Sequence, residues 1–281
     1  MDLNADAHAP AADFALAPPD DFYYASLYLA PDARREARAL EATRRAIVEI
    51  PRECSDRGVA HLKLAWWQDE VARLAAGAPR HPLTQALAAS RARWPDLDAA
   101  LEALIGATQA SLGEPRAPHR AALLATVRAQ HDVIAARYLD LGAAPPGEAR
   151  ETLLDLAARV ELAHALRGLR QHRRGGMLYL ADDALRAAGL GVEAVREARA
   201  SADLGGLLVA ECTRLRDELR AGLAAVPRAL RRAQALPVTL ARCAEEALGL
   251  TLADGCRVLE QRVELLPTRK LWLAWRTRHW G

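Results

Sequence analysis

A run of basic residues near the middle of the chain has the composition and spacing of an anion-binding surface. Arg167, Arg170 and Arg174 recur at intervals of three and four residues, so they share one face of a helix. Guanidinium groups form strong, often paired hydrogen bonds with phosphate and carboxylate groups. This face is therefore a candidate for binding an anionic head group directly, without a metal ion. The alternative is a solvated basic face, or one that pairs with Glu161 and Asp182.

Metal ligands are sparse in the sequence. His164 and His172 are eight residues apart on the same predicted helix, which provides only two ligands at a wide spacing. Glu49, Glu53 and Asp56 form a short acidic group, for which a solvated patch is the better interpretation. No two cysteines are separated by two residues, so a zinc site of that type is not expected. We therefore expect no metal and no cofactor.

Three tryptophans alternate with basic residues in the last stretch of the sequence. The tryptophans are Trp272, Trp275 and Trp280, and the basic residues are Arg269, Lys270, Arg276 and Arg278. No acidic residue follows Glu264. This composition fits a helix that lies on a membrane surface, where tryptophan and arginine are common. The alternative is that Trp272 and Trp275 are ordinary core residues at three-residue spacing.

The overall composition limits the kind of protein. The chain has 281 residues, of which 51% are hydrophobic and 26% are charged, a balance typical of globular proteins. Its formal net charge of +2 gives no reason to expect binding of nucleic acid. No apolar run approaches the roughly 18 residues that a transmembrane helix needs. Because no signal-like segment is present either, we expect a cytoplasmic protein, with peripheral attachment to a membrane left open.

Helical periodicity extends through almost the whole chain. Alanine, leucine, arginine and glutamate dominate, and these residues favour helices. The long helices that the apolar spacing predicts cover residues 119–141, 148–172, 203–225 and 228–248. No alternating β pattern with turn signals appears. We therefore predict a flexible lead-in over 1–20, which is rich in alanine and proline, and one all-α domain over 21–281.

Four segments of the chain resemble the squalene/phytoene synthase family. They are FYYASLYLAPDARREARALEATRR at 22–45, LAWWQDEVARLAAGAPRHPLTQAL at 64–87, RRGGMLYLADDAL at 173–185 and RVELLPTRKLWLAWRTRHW at 262–280. The resemblance implies the family fold, a single-domain isoprenoid-synthase-type helical bundle around a central cavity. It also implies the family chemistry, in which carboxylates on two facing helices hold magnesium against a prenyl diphosphate.

The positions of the family's metal-binding aspartates hold other residues in this chain. The first motif falls on Val48, Glu49 and Arg52, and the second falls on Gly168 and His172. The resemblance therefore implies that no catalytic aspartate remains and that no metal is bound. The candidate ligands for an anion or a diphosphate are then Arg45, Arg167, Arg170, Arg174 and Tyr179.

One branch of the family, the mitochondrial complex I assembly factors related to phytoene synthase, also lacks these aspartates. The segment ECSDRGVAHLKLAWWQDEV at 53–71 resembles that branch. This narrower resemblance implies a non-catalytic protein that binds an isoprenoid or lipid, or that assists the assembly of a membrane complex through a protein partner. The alternative is an active prenyl-diphosphate synthase of isoprenoid biosynthesis, a transferase that would need magnesium.

Overall fold

The computed structural model describes residues 16–54, 56–173, 177–198 and 201–281. Within these ranges the regular elements are fifteen α-helices and one short 3₁₀-helix, Ala88–Ala92, without a strand. In chain order the α-helices are α1 Asp21–Ser26, α2 Pro31–Val48, α3 Ile50–Glu53, α4 Arg57–Ala75, α5 Pro82–Leu87, α6 Leu97–Gly113, α7 Arg120–Asp140, α8 Gly147–Arg167, α9 Leu169–His172, α10 Asp182–Ala187, α11 Val192–Arg196, α12 Ala202–Ala225, α13 Arg228–Ala233, α14 Ala235–Ala253 and α15 Pro267–Trp280. The prediction of an all-α protein is confirmed.

Side-chain caps and prolines set many of the helix starts. Asp20 caps α1 by accepting a hydrogen bond from the backbone N–H of Phe22 at 2.8 Å. Ser201 caps α12 in the same way, through the N–H of Leu204 at 3.1 Å. Helices α2, α5 and α15 each have a proline in the first turn, where a missing N–H does no harm. The side chain of His119 caps α7 as well, so both α7 and α12 begin at a capping residue, and their predicted and observed positions agree closely.

Two of the long predicted helices are interrupted in the structure. The helix predicted over 148–172 breaks at Gly168, which separates α8 from α9. The helix predicted over 228–248 breaks at Gln234, where α13 ends and α14 begins. The side-chain amide of Gln234 donates a hydrogen bond to the carbonyl of Ala143 at 2.8 Å. This contact ties the break to the segment after α7, and helical periodicity does not reveal contacts between distant segments.

The long helices pack side by side into a bundle. α7 packs against α6 and α8, and α8 packs against α12 and α14. α14 also contacts α1 and α15, so helices from opposite ends of the domain meet there. The core is a large cluster of buried apolar side chains that runs from Leu16 to Val258. Helices α1, α2, α7, α8 and α14 therefore surround the centre of the bundle.

The segment before α1 packs against this bundle. Leu16 is buried, and the carboxylate of Asp20 lies 2.6 Å from the guanidinium of Arg45. Residues 1–15 lie outside the described residues, so the flexible lead-in over 1–20 stays a prediction. No helix in the described ranges combines the length and the apolar composition that crossing a membrane requires.

Candidate functional site

An open cavity lies where the segment before α1, helices α2 and α8, and the residues leading into α15 meet. It measures about 470 Å³, and we call it the outer cavity. Its five carboxylates belong to Asp20, Asp21, Glu49, Glu161 and Glu264. Its six basic side chains are those of Arg44, Arg45, Arg52, His164, Arg262 and Lys270. The wall is therefore densely charged, with the two signs nearly balanced.

Each carboxylate of the outer cavity lies within ion-pair distance of a cation of the chain. The pairs are Asp20–Arg45 at 2.6 Å, Asp21–Lys270 at 2.6 Å, Glu49–Arg52 at 2.8 Å, Glu161–Arg44 at 3.1 Å and Glu264–Arg167 at 3.2 Å. A magnesium ion, which takes oxygen ligands, would have to displace these cations to bind. Among the described residues, no three His, Cys, Asp or Glu side chains are grouped so that they could hold a metal ion. The ion pairs therefore leave none of these five carboxylates free for the magnesium cluster of the family chemistry.

A buried ionised carboxylate lies behind the outer cavity. Glu41 is almost completely buried and accepts two hydrogen bonds from Arg44, at 2.8 and 2.9 Å, and one from Arg45 at 2.5 Å. The hydroxyl of Tyr138 donates a further hydrogen bond to it at 2.9 Å. Burial alone would raise the pKa of Glu41, but Arg44 and Arg45 lower this pKa well below its usual value. The carboxylate therefore stays charged inside the core.

Two histidines lie close to the carboxylates of the site, His131 on α7 and His164 on α8. His131 Nε2 lies 3.7 Å from Glu161, and His164 Nε2 lies 3.3 Å from Asp21. Burial lowers the pKa of His131 to about 4, so its ring is neutral at physiological pH. Burial would raise the pKa of Asp21, but His164 and Lys270 hold it well below its ordinary value. The buried carboxylates are thus ionised, and arginine or lysine compensates their charge.

A second cavity lies deeper in the bundle. This inner cavity lies between α1, α2, α7, α8 and α14, measures about 20 Å³ and shares Arg45, Glu161 and His164 with the outer cavity. The rings of Phe22 and Tyr138, which line it, meet edge to face with centroids 5.3 Å apart. Such a volume holds about one water molecule, whereas pockets for small ligands usually measure ~300–1,000 Å³. The inner cavity therefore has no room for a prenyl chain.

The positions that the resemblance assigns to the family aspartates divide between two places. Val48 is buried at the end of α2, and Glu49 and Arg52 line the outer cavity. Gly168 joins α8 to α9, and His172 is the last residue of α9, with its side chain outside the described part of the structure. The first motif therefore lies at the cavity, and the second lies at and after the end of α8.

Two of the predicted anion ligands, Arg45 and Tyr179, lie at or beside the outer cavity. Arg45 lines the cavity, and Asp20 and Glu41 already engage its guanidinium group. Tyr179 is buried, and its hydroxyl accepts a hydrogen bond from Arg52. The guanidinium carbon of Arg52 lies 4.9 Å from the centroid of the Tyr179 ring. Tyr179 therefore contacts a residue that lines the cavity, Arg52, and does not line the cavity itself. Anion binding by Arg45 and Tyr179 stays a prediction.

The described arginines of the predicted basic face on the α8–α9 segment do not line the outer cavity, although Arg167 pairs with Glu264 at its edge. Arg167 is almost fully buried and donates a hydrogen bond to the carbonyl of Val263 at 2.6 Å. Arg170 donates a hydrogen bond to the carbonyl of Glu260. Arg174 lies outside the described residues. Both described arginines thus contact the segment that leads into α15, and direct binding of an anion by this face stays a prediction.

The buried part of the site consists of Glu41, Tyr138 and His131, and none of the three was predicted from the sequence. The three-residue spacing of Glu41 and Arg44 is a signal that could have identified the first of them, because such a pair shares a helix face. No local signal marks Tyr138 and His131, since their partners come from α2 and α8 rather than from α7.

The chain has recognisable relatives both in sequence and in fold. The family described as squalene/phytoene synthase matches residues 19–269. A crystal structure of a dehydrosqualene synthase in complex with ligand has a TM-score of 0.72 and 16% sequence identity, with 95% of each chain covered. The structure of squalene synthase HpnC from Alicyclobacillus acidocaldarius has a TM-score of 0.63 and 21% identity, and the match covers 84% of this chain and 89% of that one. No curated protein gives a significant sequence match.

The structural likeness confirms the predicted isoprenoid-synthase-type fold. At these levels of identity it concerns the fold alone. The family match is independent of the structure and extends over most of the sequence. The chain therefore belongs to the squalene/phytoene synthase family.

Proposed function

We propose that this chain is a non-catalytic member of its family that acts as a binding or assembly protein. The observation that carries the proposal is the pairing of each outer-cavity carboxylate with a cation of the chain. The family chemistry needs carboxylates that are free to hold magnesium, because the metal stabilises the charge of the departing diphosphate. Arginine and lysine occupy those carboxylates here, so this stabilisation would be missing.

The small volume of the inner cavity bears on the choice between the two non-catalytic roles. About 20 Å³ is too little for an isoprenoid chain, which supports a role in assembly through a protein partner. This role also agrees with the narrower resemblance to the complex I assembly factors. A lipid whose chains stay outside the bundle fits as well, provided that its anionic head group displaces the carboxylates that now pair with Arg45 and Arg52.

The second candidate function is that of an active prenyl-diphosphate synthase. Family membership and the likeness of the fold to a dehydrosqualene synthase favour it. On this interpretation Glu49 is the remaining carboxylate of the first motif, and it would have to release Arg52 in order to bind magnesium. Among the two candidates, this one requires the existing ion pairs to break before any metal can bind.

The test is the release of pyrophosphate from farnesyl and geranylgeranyl diphosphate by the purified protein, with and without magnesium. We expect no release above the rate without protein. Magnesium-dependent release would establish the synthase if Glu49→Gln abolishes it and Glu53→Gln, a change at an exposed neighbour, preserves it. This comparison separates turnover by the chain from turnover by a contaminant. An absence of turnover in folded protein would support the proposal and direct the search to lipids and protein partners that co-purify.

A further inference from the structure

Helix α15 presents tryptophans and arginines together at the protein surface. Trp272, Trp275 and Trp280 are 37%, 36% and 65% exposed. Trp275 stacks on His279 and meets Trp280 edge to face, with ring centroids 5.0 Å apart in both pairs. The guanidinium carbon of Arg276 lies 5.2 Å from the ring centroid of Trp272. The indole rings and the cations therefore alternate along one exposed side of the helix.

Arginines of α13 and α14 extend this patch. Helix α15 packs against both of those helices. A Cβ atom added to Gly281 would lie 3.6 Å from the Cβ of Arg231, so the end of α15 meets α13. Burial lowers the pKa of Arg242 on α14, and the nearby charges of Arg276 and Arg231 lower this pKa further. Arg278, in the last turn of α15, is exposed as well. We define the Trp–Arg surface as Trp272, Trp275, Trp280, Arg231, Arg242, Arg276 and Arg278.

The positive charge of the Trp–Arg surface lacks carboxylate partners. In the part of the chain that the structure describes, no carboxylate pairs with Arg231, Arg242 or Arg276. Glu246, an acidic residue of α14, accepts two hydrogen bonds of 2.7 Å from Arg269. The Nη1 atom of Arg242 is buried and has no hydrogen-bond partner among the described residues. Apart from the attraction of Glu246 for Arg242, the surface therefore carries positive charge that no ion pair among the described residues compensates.

We propose that the Trp–Arg surface docks onto an anionic lipid bilayer. Tryptophan rings are favoured at the depth of the lipid head groups, and arginines beside them meet the lipid phosphates. We favour a bilayer over an acidic protein because the rings and guanidinium groups alternate along one helix, which suits a planar boundary between polar and apolar layers. This inference is independent of the proposed function, since a catalytic and a non-catalytic protein could both dock in this way.

The experiment is co-sedimentation of the full-length protein with vesicles of phosphatidylcholine alone or mixed with phosphatidylglycerol, at low and high salt. We expect binding to the mixed vesicles at low salt, and release when sodium chloride is raised, because salt screens the surface potential. The variant that combines Arg276→Gln, Arg278→Gln and Trp280→Ser should bind at least roughly thirtyfold more weakly, since each arginine near an anionic surface contributes about fivefold to partitioning.

The matched control combines Arg57→Gln, Lys63→Gln and Trp66→Ser on α4, where Trp66 is also exposed. It removes the same charge and one tryptophan elsewhere on the molecule, and it should bind the mixed vesicles like the natural protein. Circular dichroism and thermal unfolding establish that both variants fold. The proposal is wrong if the natural protein does not bind the mixed vesicles, or if the α15 and α4 variants lose binding equally. Binding to neutral vesicles that resists salt would overturn the role of the arginines.

Discussion

The buried carboxylate of Glu41 should be essential for stability, and Glu41→Gln is the most informative change to test this. Its carboxylate accepts hydrogen bonds from Arg44, Arg45 and Tyr138 and is 2% exposed. The substitution keeps the shape of the side chain but removes its charge, and the new amide nitrogen would face guanidinium donors. Arg44 would keep only Glu161, at 3.1 Å, as its carboxylate partner.

The magnitude follows from the cost of leaving a buried cation without its partner. Removing one member of a buried ion pair typically costs about 3–5 kcal/mol of unfolding free energy. For a domain of this size, 1 kcal/mol corresponds to about 2–4 °C in Tm. We therefore expect Glu41→Gln to lower Tm by roughly 6–20 °C, as measured by circular dichroism or differential scanning calorimetry.

The control is Asp32→Asn, which removes a carboxylate from an exposed ion pair on the same helix. Exposed pairs contribute little, so Tm should change by no more than about 2 °C. If Glu41→Gln changes Tm as little as Asp32→Asn does, the ion pairs of Glu41 with Arg44 and Arg45 do not stabilise the bundle and the reasoning is refuted.

Three other changes test further features of the structure. Because burial sets the pKa of His131 at about 4, below the ~6.5 of an unfolded histidine, the unfolded chain takes up the proton first. The contribution of His131 to stability should therefore fall by up to about 3 kcal/mol as pH drops from ~6.5 to 4. His131→Gln should remove this part of the slope in denaturant unfolding at a series of pH values, and a smaller slope from His81 should remain. Gly142→Ala should lower Tm, at a cost of about 1–3 kcal/mol, because its Cβ would lie 2.5 Å from the carbonyl oxygen of Ala233; an unchanged Tm would contradict the packing there. Phe22→Ala should lower Tm, at a cost of about 3–5 kcal/mol, because it removes a buried ring that packs edge to face on Tyr138; an unchanged Tm would contradict this packing.

The sequence was sufficient to predict the fold class because helical signals are local. Capping residues, prolines and apolar spacing fixed the positions of α7 and α12. The breaks at Gly168 and Gln234 were missed for a different reason. Gln234 interrupts a helical pattern while its amide binds the carbonyl of Ala143, which lies far away in the sequence. A periodic pattern records which face of a helix is apolar, and it does not record which segment packs against that face.

The same limit applies to the site. The sequence pointed to Glu49 and Arg52, and both line the outer cavity. The spacing of Arg167 and Arg170 suggested a face open to an anion, but the segment that leads into α15 covers Arg167 and contacts both residues. The spacing of Glu41 and Arg44 is the one local signal for this carboxylate, and its contact with Tyr138 from a distant helix left no mark in the sequence.

The most direct test asks whether cations of the chain have replaced magnesium in the outer cavity. It measures Tm with magnesium and with a non-reactive farnesyl diphosphate analogue, added singly and together. The ion pairs of all five carboxylates predict that magnesium does not change Tm, whether or not the analogue is present. A ligand at a hundred times its Kd would stabilise the native state by about 2.7 kcal/mol, or roughly 5–10 °C. A rise of that size that requires magnesium and the analogue together would contradict the proposal and show that the cavity still binds a metal–diphosphate complex.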